Sequence, residues 1–167
     1  MTPRVALIMG SDSDFPAVEK GVALLRRLQV GVRVEVSSAH RTPERTLELV
    51  RDFERSGIGV IIAAAGGAAH LPGVIAGHTL LPVLGVPMAS PLSGFDSLLA
   101  MVQMPAGVPV AVFGIGESGA VNAALFAVEL LAAADPTLRE RLLAYRAEQR
   151  ENVLAKGRQL KERLEKG

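Results

Sequence analysis

Hydrophobic and polar positions along the chain follow two alternating periods. Five short runs rich in β-branched and other apolar residues have the pattern of strands. These runs cover residues 4–9, 32–36, 60–64, 82–86 and 108–113. Helical patterns lie between and after them, over residues 16–28, 43–55, 71–79, 93–102 and 118–134. Strands and helices that alternate in this way predict an α/β fold, a three-layer α/β/α doubly wound parallel sheet.

The last segment of the chain has a different pattern. Asp135 and Pro136 form a helix start, with Asp as the N-cap and Pro in the first turn. The sequence then stays charged and helical to Lys166, and its apolar residues are too sparse to build a core of their own. They are Leu138, Leu142, Leu143, Tyr145, Val153, Leu160 and Leu164. We therefore expect one domain, residues 1–134, followed by a C-terminal helix, residues 135–167, that packs on a neighbouring subunit.

The distribution of charged residues along the chain says more about its organisation than the net charge does. The 167 residues carry 18 basic and 17 acidic side chains, a net charge of +1 that indicates no nucleic-acid partner. Residues 1–56 hold 17 of these charges and residues 135–167 hold 15, whereas residues 57–134 hold three. Gly, Pro, Ser and His interrupt every apolar run of that middle segment before the roughly 20 residues that a membrane span needs. A large interface between identical subunits is therefore favoured over a membrane segment.

Several classes of site and location are disfavoured by what the chain lacks. Zero cysteines exclude disulfides and thiolate metal sites, and three histidines without paired ligand spacing predict no dedicated metal site. No G-x-S-x-G elbow supports a serine hydrolase. Residues 1–10 are too short for a signal peptide, so a cytoplasmic location is expected.

Polar or glycine-rich loops follow the first three predicted strands, and parallel strands bring such loops to one edge of a sheet. The first loop is G-S-D-S-D, residues 10–14. Its hydroxyls and backbone N–H groups, at the positive end of the next helix, suit a phosphate or a sugar. An alternative of equal weight makes Asp14 only an N-cap and the serines only turn formers.

The second loop is S-S-A-H-R-T-P, residues 37–43, in which Thr42 is the predicted N-cap of the next helix and Pro43 its first residue. Arg41 could hold a phosphate in a two-pronged contact. His40 could give and take a proton near neutral pH. Taken alone, such a His-Arg pair is more often a solvated surface pair. Beside the first loop it becomes a candidate site.

The third loop is A-A-G-G-A-A-H-L-P-G, residues 64–73. Its glycines allow the backbone to approach a flat ligand, and its lack of charge suits an uncharged ring shielded from water. The alternative is a tight turn in which a backbone carbonyl satisfies His70. For His70 a structural or ligand-lining role is favoured over proton transfer. His78 lies in a predicted short helix, where a structural role is expected.

One further glycine motif imitates a dinucleotide site. Residues 114–119, G-I-G-E-S-G, match G-x-G-x-x-G between a strand and a helix. The full motif requires a second strand that ends in an acidic residue about 20 positions later. Here the predicted helix continues to Ala134 and Asp135 caps another helix. A nicotinamide cofactor is therefore rejected.

The three loops together resemble one enzyme family. G-S-x-S-D, S-A-H-R-T-P and A-G-G-A-A-H-L-P-G look like the signatures of phosphoribosylaminoimidazole carboxylase catalytic subunits, specifically of their bacterial class, the N5-carboxyaminoimidazole ribonucleotide mutases. The stretches L-P-V-L-G-V-P, D-S-L-L, V-Q-M-P-A-G-V-P-V and N-A-A-L extend the resemblance over about residues 4–134. Gly114 and Ser118 differ from the alanines of the family pattern, which leaves the three loops unaffected.

The resemblance implies a flavodoxin-like domain, assembled into a homo-octamer with active sites between subunits. It implies an isomerase of purine (IMP) biosynthesis that moves a carboxylate from N5 to C4 of aminoimidazole ribonucleotide, without metal or organic cofactor. It also implies transient contact with the ATP-dependent enzyme that makes the substrate. Two alternatives stay open, a same-family carboxylase that uses free CO2 and a non-catalytic nucleotide-binding sensor.

Residue roles also come from the resemblance. His40 is the implied general acid and base. Asp14 is assigned to the ribose hydroxyls, and Ser11 to the substrate. The implied phosphate ligands are Ser13, Ser38 and Arg41. The implied lining of the base and the migrating carboxyl group is Ala65, Gly66, Gly67, His70 and Leu71.

Overall fold

A computed structural model describes residues 3–165 as one parallel sheet with helices on both faces. The strands are β1 (Pro3–Met9), β2 (Gly31–Val36), β3 (Val60–Ala65), β4 (Val83–Pro87) and β5 (Ala111–Val112). The helices are α1 (Phe15–Arg27), α2 (Pro43–Arg55), α3 (Leu71–Ala76), α4 (Phe95–Val102), α5 (Glu117–Ala132) and α6 (Pro136–Glu165). A single 3-10 turn, Asp12–Asp14, precedes α1. The predicted α/β/α fold is confirmed.

The strand order is β2-β1-β3-β4-β5, and all four strand pairs are parallel. This is the flavodoxin-like order, in which the chain reverses its direction of winding between β1 and β3. Ligands of such sheets bind beyond the carboxyl ends of the strands at that switch point. The loops after β1, β2 and β3 are the three polar or glycine-rich loops of the sequence, so the topology brings them to one place.

Two apolar layers form the core because successive strand residues point to opposite faces of the sheet. Val5, Leu7 and Met9 of β1 join the layer beneath α1, α5 and α6. Ala6 and Ile8 join the layer beneath α2, α3 and α4. Every residue of β3 is buried, which explains why that strand reads as a continuous apolar run.

Predicted boundaries of β5, α4 and α3 are wrong, and several other elements differ by one or two residues at an end. The predicted fifth strand shrinks to Ala111–Val112, since Pro109 has no N–H to donate to a ladder. Helix α4 begins at Phe95 rather than residue 93, because Ser93 and Gly94 have φ angles of 56° and 83°. Helix α3 ends at Ala76 rather than residue 79.

His78 therefore lies just beyond α3 and not within a helix. Its N–H bonds to the Ile75 carbonyl, which tightens the last turn, and its Nδ1 lies 2.8 Å from the Val74 carbonyl oxygen. The ring thus provides a hydrogen-bond partner for a carbonyl at the C-terminal end of α3, in keeping with the structural role expected for His78. The predicted end of the last helix, Lys166, lies outside the described residues.

The first turns of α6 pack on their own subunit. Leu138 and Leu142 are buried in the layer beneath α1 and α5, and Tyr145 packs against it. Asp135 caps the helix as predicted, accepting a hydrogen bond from the Leu138 N–H at 3.0 Å and from Arg4 at 2.6 Å. This part of α6 thus contributes to the core of its own chain. For the distal half, where Val153, Leu154, Leu160 and Leu164 are exposed, packing on a neighbour stays a prediction.

The nearly uncharged middle segment leaves apolar surface exposed on the single chain. A groove of about 820 Å³ adjoins β5 and has Leu80, Val108, Phe126 and Leu130 among its lining residues. We refer to it as the β5 groove. Leu80 is fully exposed there. Within residues 3–165, no helix has the length and apolar character to cross a membrane.

Candidate active site

The three loops surround one cavity of about 350 Å³ at the carboxyl ends of β1, β2 and β3. Nine of the eleven predicted site residues line it: Ser11, Asp14, Ser38, His40, Arg41, Ala65, Gly66, His70 and Leu71. Gly10, Ala39 and Ala69 complete the lining; sequence reasoning did not single them out. Ser13 and Gly67 lie in the same loops but do not line the cavity.

Ser11 organises the first loop. Its Oγ accepts hydrogen bonds from the Ser13 N–H at 3.3 Å and the Ser13 hydroxyl at 2.8 Å, capping the 3-10 turn. The Ser13 hydroxyl is thus engaged within the loop. Sequence spacing alone could not reveal this, because it places both serines in the loop without orienting either.

Asp14 occupies the N-cap position of α1, yet its carboxylate makes no capping hydrogen bond to the helix. The reading of Asp14 as only a cap is therefore wrong. Partial burial raises the pKa of this carboxyl above its usual value, and the nearby charge of Asp12 acts in the same direction. A backbone hydrogen bond at Ser11 opposes them. The carboxylate lines the cavity and is free to accept hydrogen bonds from a ligand.

Hydrogen bonds among serine and threonine hydroxyls fix the second loop to the start of α2. Buried Ser37 Oγ lies 2.8 Å from the buried Thr46 Oγ1 and 3.1 Å from Thr42 Oγ1. Thr42 is at the predicted N-cap position of α2, but its side chain bonds the loop instead: it donates to the Ser38 carbonyl and accepts from the Ser38 N–H. These bonds hold the segment that carries His40 and Arg41.

Arg41 joins the second loop to the first. Its Nη2 donates to the Gly10 carbonyl at 3.1 Å, and its backbone N–H donates to Ser38 Oγ at 3.3 Å. The guanidinium is exposed and keeps further N–H donors for an anion. With Ser11 and Ser38 in the same cavity wall, it forms a cradle suited to a phosphate.

The two histidines of the site contact each other. His40 Nε2 lies 2.8 Å from His70 Nδ1, and the rings meet edge to face with centroids 4.9 Å apart. The hydrogen-bond partner of the His70 ring is therefore the imidazole of His40. The alternative, in which a backbone carbonyl bonds this ring, is wrong. The loop positions had indicated that both histidines belong to one edge of the sheet, but not that they share a hydrogen bond.

The third loop supplies an apolar wall. Ala65, Ala69 and Leu71 are buried, and the loop contains no charged residue. Gly67 has a φ of 64°, and a Cβ added there would meet open space. Glycine suits the turn conformation at this position.

A second cavity, of about 550 Å³, adjoins the first at the histidine pair. His40, Ala69 and His70 line both cavities. The segment from Ala100 to Met104 supplies much of the remaining lining. Within residues 3–165, no three His, Asp or Glu side chains cluster as metal ligands would.

The rejected dinucleotide motif has a packing explanation. Gly116 has a φ of 72° and a ψ of −144°, a conformation open essentially to glycine. A Cβ added at Gly119 would lie 1.6 Å from the Gly114 carbonyl oxygen. Both glycines are required by the connection from β5 to α5, and neither lines the candidate cavity.

Comparisons with known proteins found one matching family model and several similar relatives. Residues 4–152 match the family model described as AIR carboxylase. Relatives named N5-carboxyaminoimidazole ribonucleotide mutase include that of Pyrococcus abyssi, 54% identical over 145 residues, 86% of this chain and 82% of that protein. The relative of that name from Pseudomonas aeruginosa is 52% identical over 155 residues, covering 92% of this chain and 95% of that protein. For Escherichia coli K12 the identity is 51% over 152 residues, 90% of each chain.

Solved structures support the fold. The crystal structure of Treponema denticola PurE matches with a TM-score of 0.86, covering 95% of this chain and 99% of that one, at 24% identity. The five-stranded parallel sheet is thus shared with a protein of distant sequence.

Proposed function

The chain belongs to the AIR carboxylase family, and we propose on that premise that it is an N5-carboxyaminoimidazole ribonucleotide mutase, an isomerase of purine (IMP) biosynthesis. The observation that carries this proposal is that relatives of that name are about 50% identical over most of the chain. The cavity supports it, since the three loops with the family motifs meet there.

The proposed substrate is a ribonucleotide held by the first two loops. Asp14 accepts hydrogen bonds from the ribose hydroxyls, and Arg41, Ser38 and Ser11 surround the 5′-phosphate. Ser13 reaches the phosphate only if its hydroxyl turns away from Ser11. The aminoimidazole ring and its carboxyl group then lie against the third loop, beside Ala65, Gly66, His70 and Leu71. Gly67 contributes by shaping the turn.

His40 is the proposed general acid and base. The carboxyl carbon leaves N5 as CO2, the electron pair of the broken C–N bond stays on N5, and N5 takes a proton from His40. The electron-rich C4 then attacks CO2, which makes a tetrahedral carbon. Neutral His40 removes the C4 proton, which restores the aromatic ring and returns His40 to its starting state.

The apolar third loop supports this route. CO2 released beside Ala65, Ala69 and Leu71 meets no charged side chain of that loop and stays close to C4. Binding of the distant phosphate by Arg41 supplies orientation that the reacting groups themselves cannot provide.

The test gives the purified protein each substrate separately. We expect conversion of N5-carboxyaminoimidazole ribonucleotide without added bicarbonate. Turnover with aminoimidazole ribonucleotide plus CO2 alone would instead identify the direct carboxylase.

Substitution of His40 separates an enzyme from a nucleotide-binding sensor. We expect His40→Asn to lower turnover by about 10²- to 10⁴-fold, the usual contribution of a general acid–base group, while calorimetry still detects substrate binding. Glu19→Gln, at an exposed position of α1 outside the cavity and the β5 groove, is the control and should keep wild-type turnover. Unchanged turnover in His40→Asn would remove His40 from this role.

We further propose that the chain works as a cytoplasmic homo-octamer whose subunits complete one another's active sites. The exposed apolar residues of the β5 groove and of distal α6 support an assembly. Eight copies, and transient contact with the ATP-dependent enzyme that makes the substrate, follow from the family resemblance and are tested by native mass spectrometry of the protein alone and mixed with that enzyme.

A further inference from the structure

The hydrogen bond between the two site histidines has a consequence for proton transfer. A bond of 2.8 Å between His40 Nε2 and His70 Nδ1 requires an N–H on one ring and a lone pair on the other. We propose that His70 is a positioning residue: it keeps a proton on Nε2 of His40 and thereby makes Nδ1 the nitrogen that exchanges a proton with the substrate. This inference rests on the proposed mutase reaction.

The direction of the bond follows from the acid step. His40 enters that step protonated, so both of its ring nitrogens carry hydrogen and Nε2 can only donate. His70 Nδ1 must therefore accept, which makes His70 neutral with its own proton on Nε2. The His40 nitrogen that is not bound to His70 is Nδ1, and His40 lines the substrate cavity.

The same bond prepares the base step. After Nδ1 has given its proton to N5, the neutral ring still donates from Nε2 to His70, and Nδ1 has a lone pair for the C4 proton. Neither ring needs to rotate between the two steps. If the remaining proton moved to Nδ1, the ring would present an N–H to C4 and could not act as a base.

The backbone holds His70 for this task. Ala69, just before it, is buried with a φ of 48°, and the His70 carbonyl accepts the Val74 N–H at 3.0 Å in the first turn of α3. The ring thus extends from the start of a helix whose next residue, Leu71, is buried. His70 itself is exposed on the single chain, so substitution of its side chain removes little core packing.

The first experiment reads the tautomer directly. The chain has three histidines, so long-range ¹H–¹⁵N NMR of protein labelled with ¹⁵N-histidine gives three sets of ring signals, one for each imidazole, assigned with single Asn variants. At a pH where His40 is neutral, we expect its proton on Nε2 in the wild type and a mixture of tautomers in His70→Phe. A wild-type His40 that carries its proton on Nδ1 would overturn the proposal.

The second experiment is kinetic. We expect His70→Phe to lower kcat by about 10- to 100-fold, the usual effect of removing the partner that orients a functional histidine, with a much smaller change in KM. In His70→Asn, a side-chain oxygen close to the former Nδ1 position can accept from His40, so we expect kcat about tenfold above that of the Phe variant. Glu19→Gln, at an exposed position of α1, is again the control.

Two kinetic results would contradict the role of His70. One is wild-type kcat in His70→Phe, and the other is an Asn variant as slow as the Phe variant. Failure of the wild type to convert the substrate would instead refute the proposed function. The NMR measurement needs no substrate, so the two failures can be told apart.

Discussion

At the scale of single residues, Asp14 combines its proposed role in substrate binding with a cost in stability. Burial is the main cause of its raised pKa, so the folded state favours the protonated carboxyl. A group whose pKa is raised on folding contributes stability below its unfolded value, near pH 4, and that contribution is lost as the pH rises through the folded value. At neutral pH the ionised Asp14 therefore destabilises the fold.

We predict that Asp14→Asn raises the thermal midpoint at pH 7 modestly and weakens substrate binding. The stability difference should shrink as the pH falls toward 4, because the wild-type carboxyl is then protonated. Thermal melts at several pH values and calorimetry with the substrate check both parts. Asp12→Asn, at an exposed neighbouring position, is the control and should give a smaller gain. A lower midpoint for Asp14→Asn at pH 7 would contradict the prediction.

The positions of the site loops were predictable from the sequence, but the contacts between their side chains were not. The loops and their shared edge were predictable, because parallel strands present their carboxyl ends together. The orientation of individual hydroxyls was not predictable: the Ser13 hydroxyl donates a hydrogen bond to Ser11 within the loop. Nor was the bond between His40 and His70, which lie 30 positions apart and meet only through tertiary structure.

At the scale of elements, strong periodic patterns identified each helix and strand, whereas local backbone chemistry set their ends. β3 was predictable because every position is apolar and buried. β5 was overestimated because its apolar composition hid the effect of Pro109 on strand pairing. The left-handed Ser93 and Gly94, which delay α4, carry no hydrophobic pattern at all.

The start of α5 offers a sharp test of packing. We predict that Gly119→Ala destabilises the protein by about 1–3 kcal/mol or more, because its Cβ would lie 1.6 Å from the Gly114 carbonyl oxygen and the backbone must shift. Gly157→Ala in α6 is the matched control. Its Cβ meets nothing within 4 Å, so the higher helix propensity of Ala should stabilise by up to about 1 kcal/mol.

Urea unfolding measures both glycine variants. Equal effects of the two substitutions would show that helix propensity, and not the Gly114 contact, decides the outcome at residue 119. Retained stability in Gly119→Ala would also remove the packing explanation for the glycine motif.

At the scale of the whole molecule, the division of charge along the chain corresponds to a division of surface. The first third bears two site loops and charged helices, while the segment from residue 57 to 134 bears the apolar third loop and the β5 groove. Leu80, Phe126 and Leu130 of the groove are exposed on the single chain, and burial of such surface favours association.

We predict that Leu80→Arg shifts the native mass toward smaller species without changing the far-ultraviolet circular dichroism. Leu80 is fully exposed in the β5 groove, so the substitution disturbs no core contact but places a charge in the expected interface. Glu19→Arg, at an exposed position of α1, is the control and should keep the wild-type mass. A wild-type protein with the mass of one chain would refute the assembly.

The brevity of β5 has a consequence for how copies can join. Only Ala111 and Val112 pair with β4, and Pro109 interrupts the strand just before them. This margin of the sheet therefore offers few free backbone donors and acceptors to an incoming strand, which protects it from open-ended fibrillar growth. Copies that meet here must fit through side-chain shape, and contacts of that kind can saturate in a finite, closed particle.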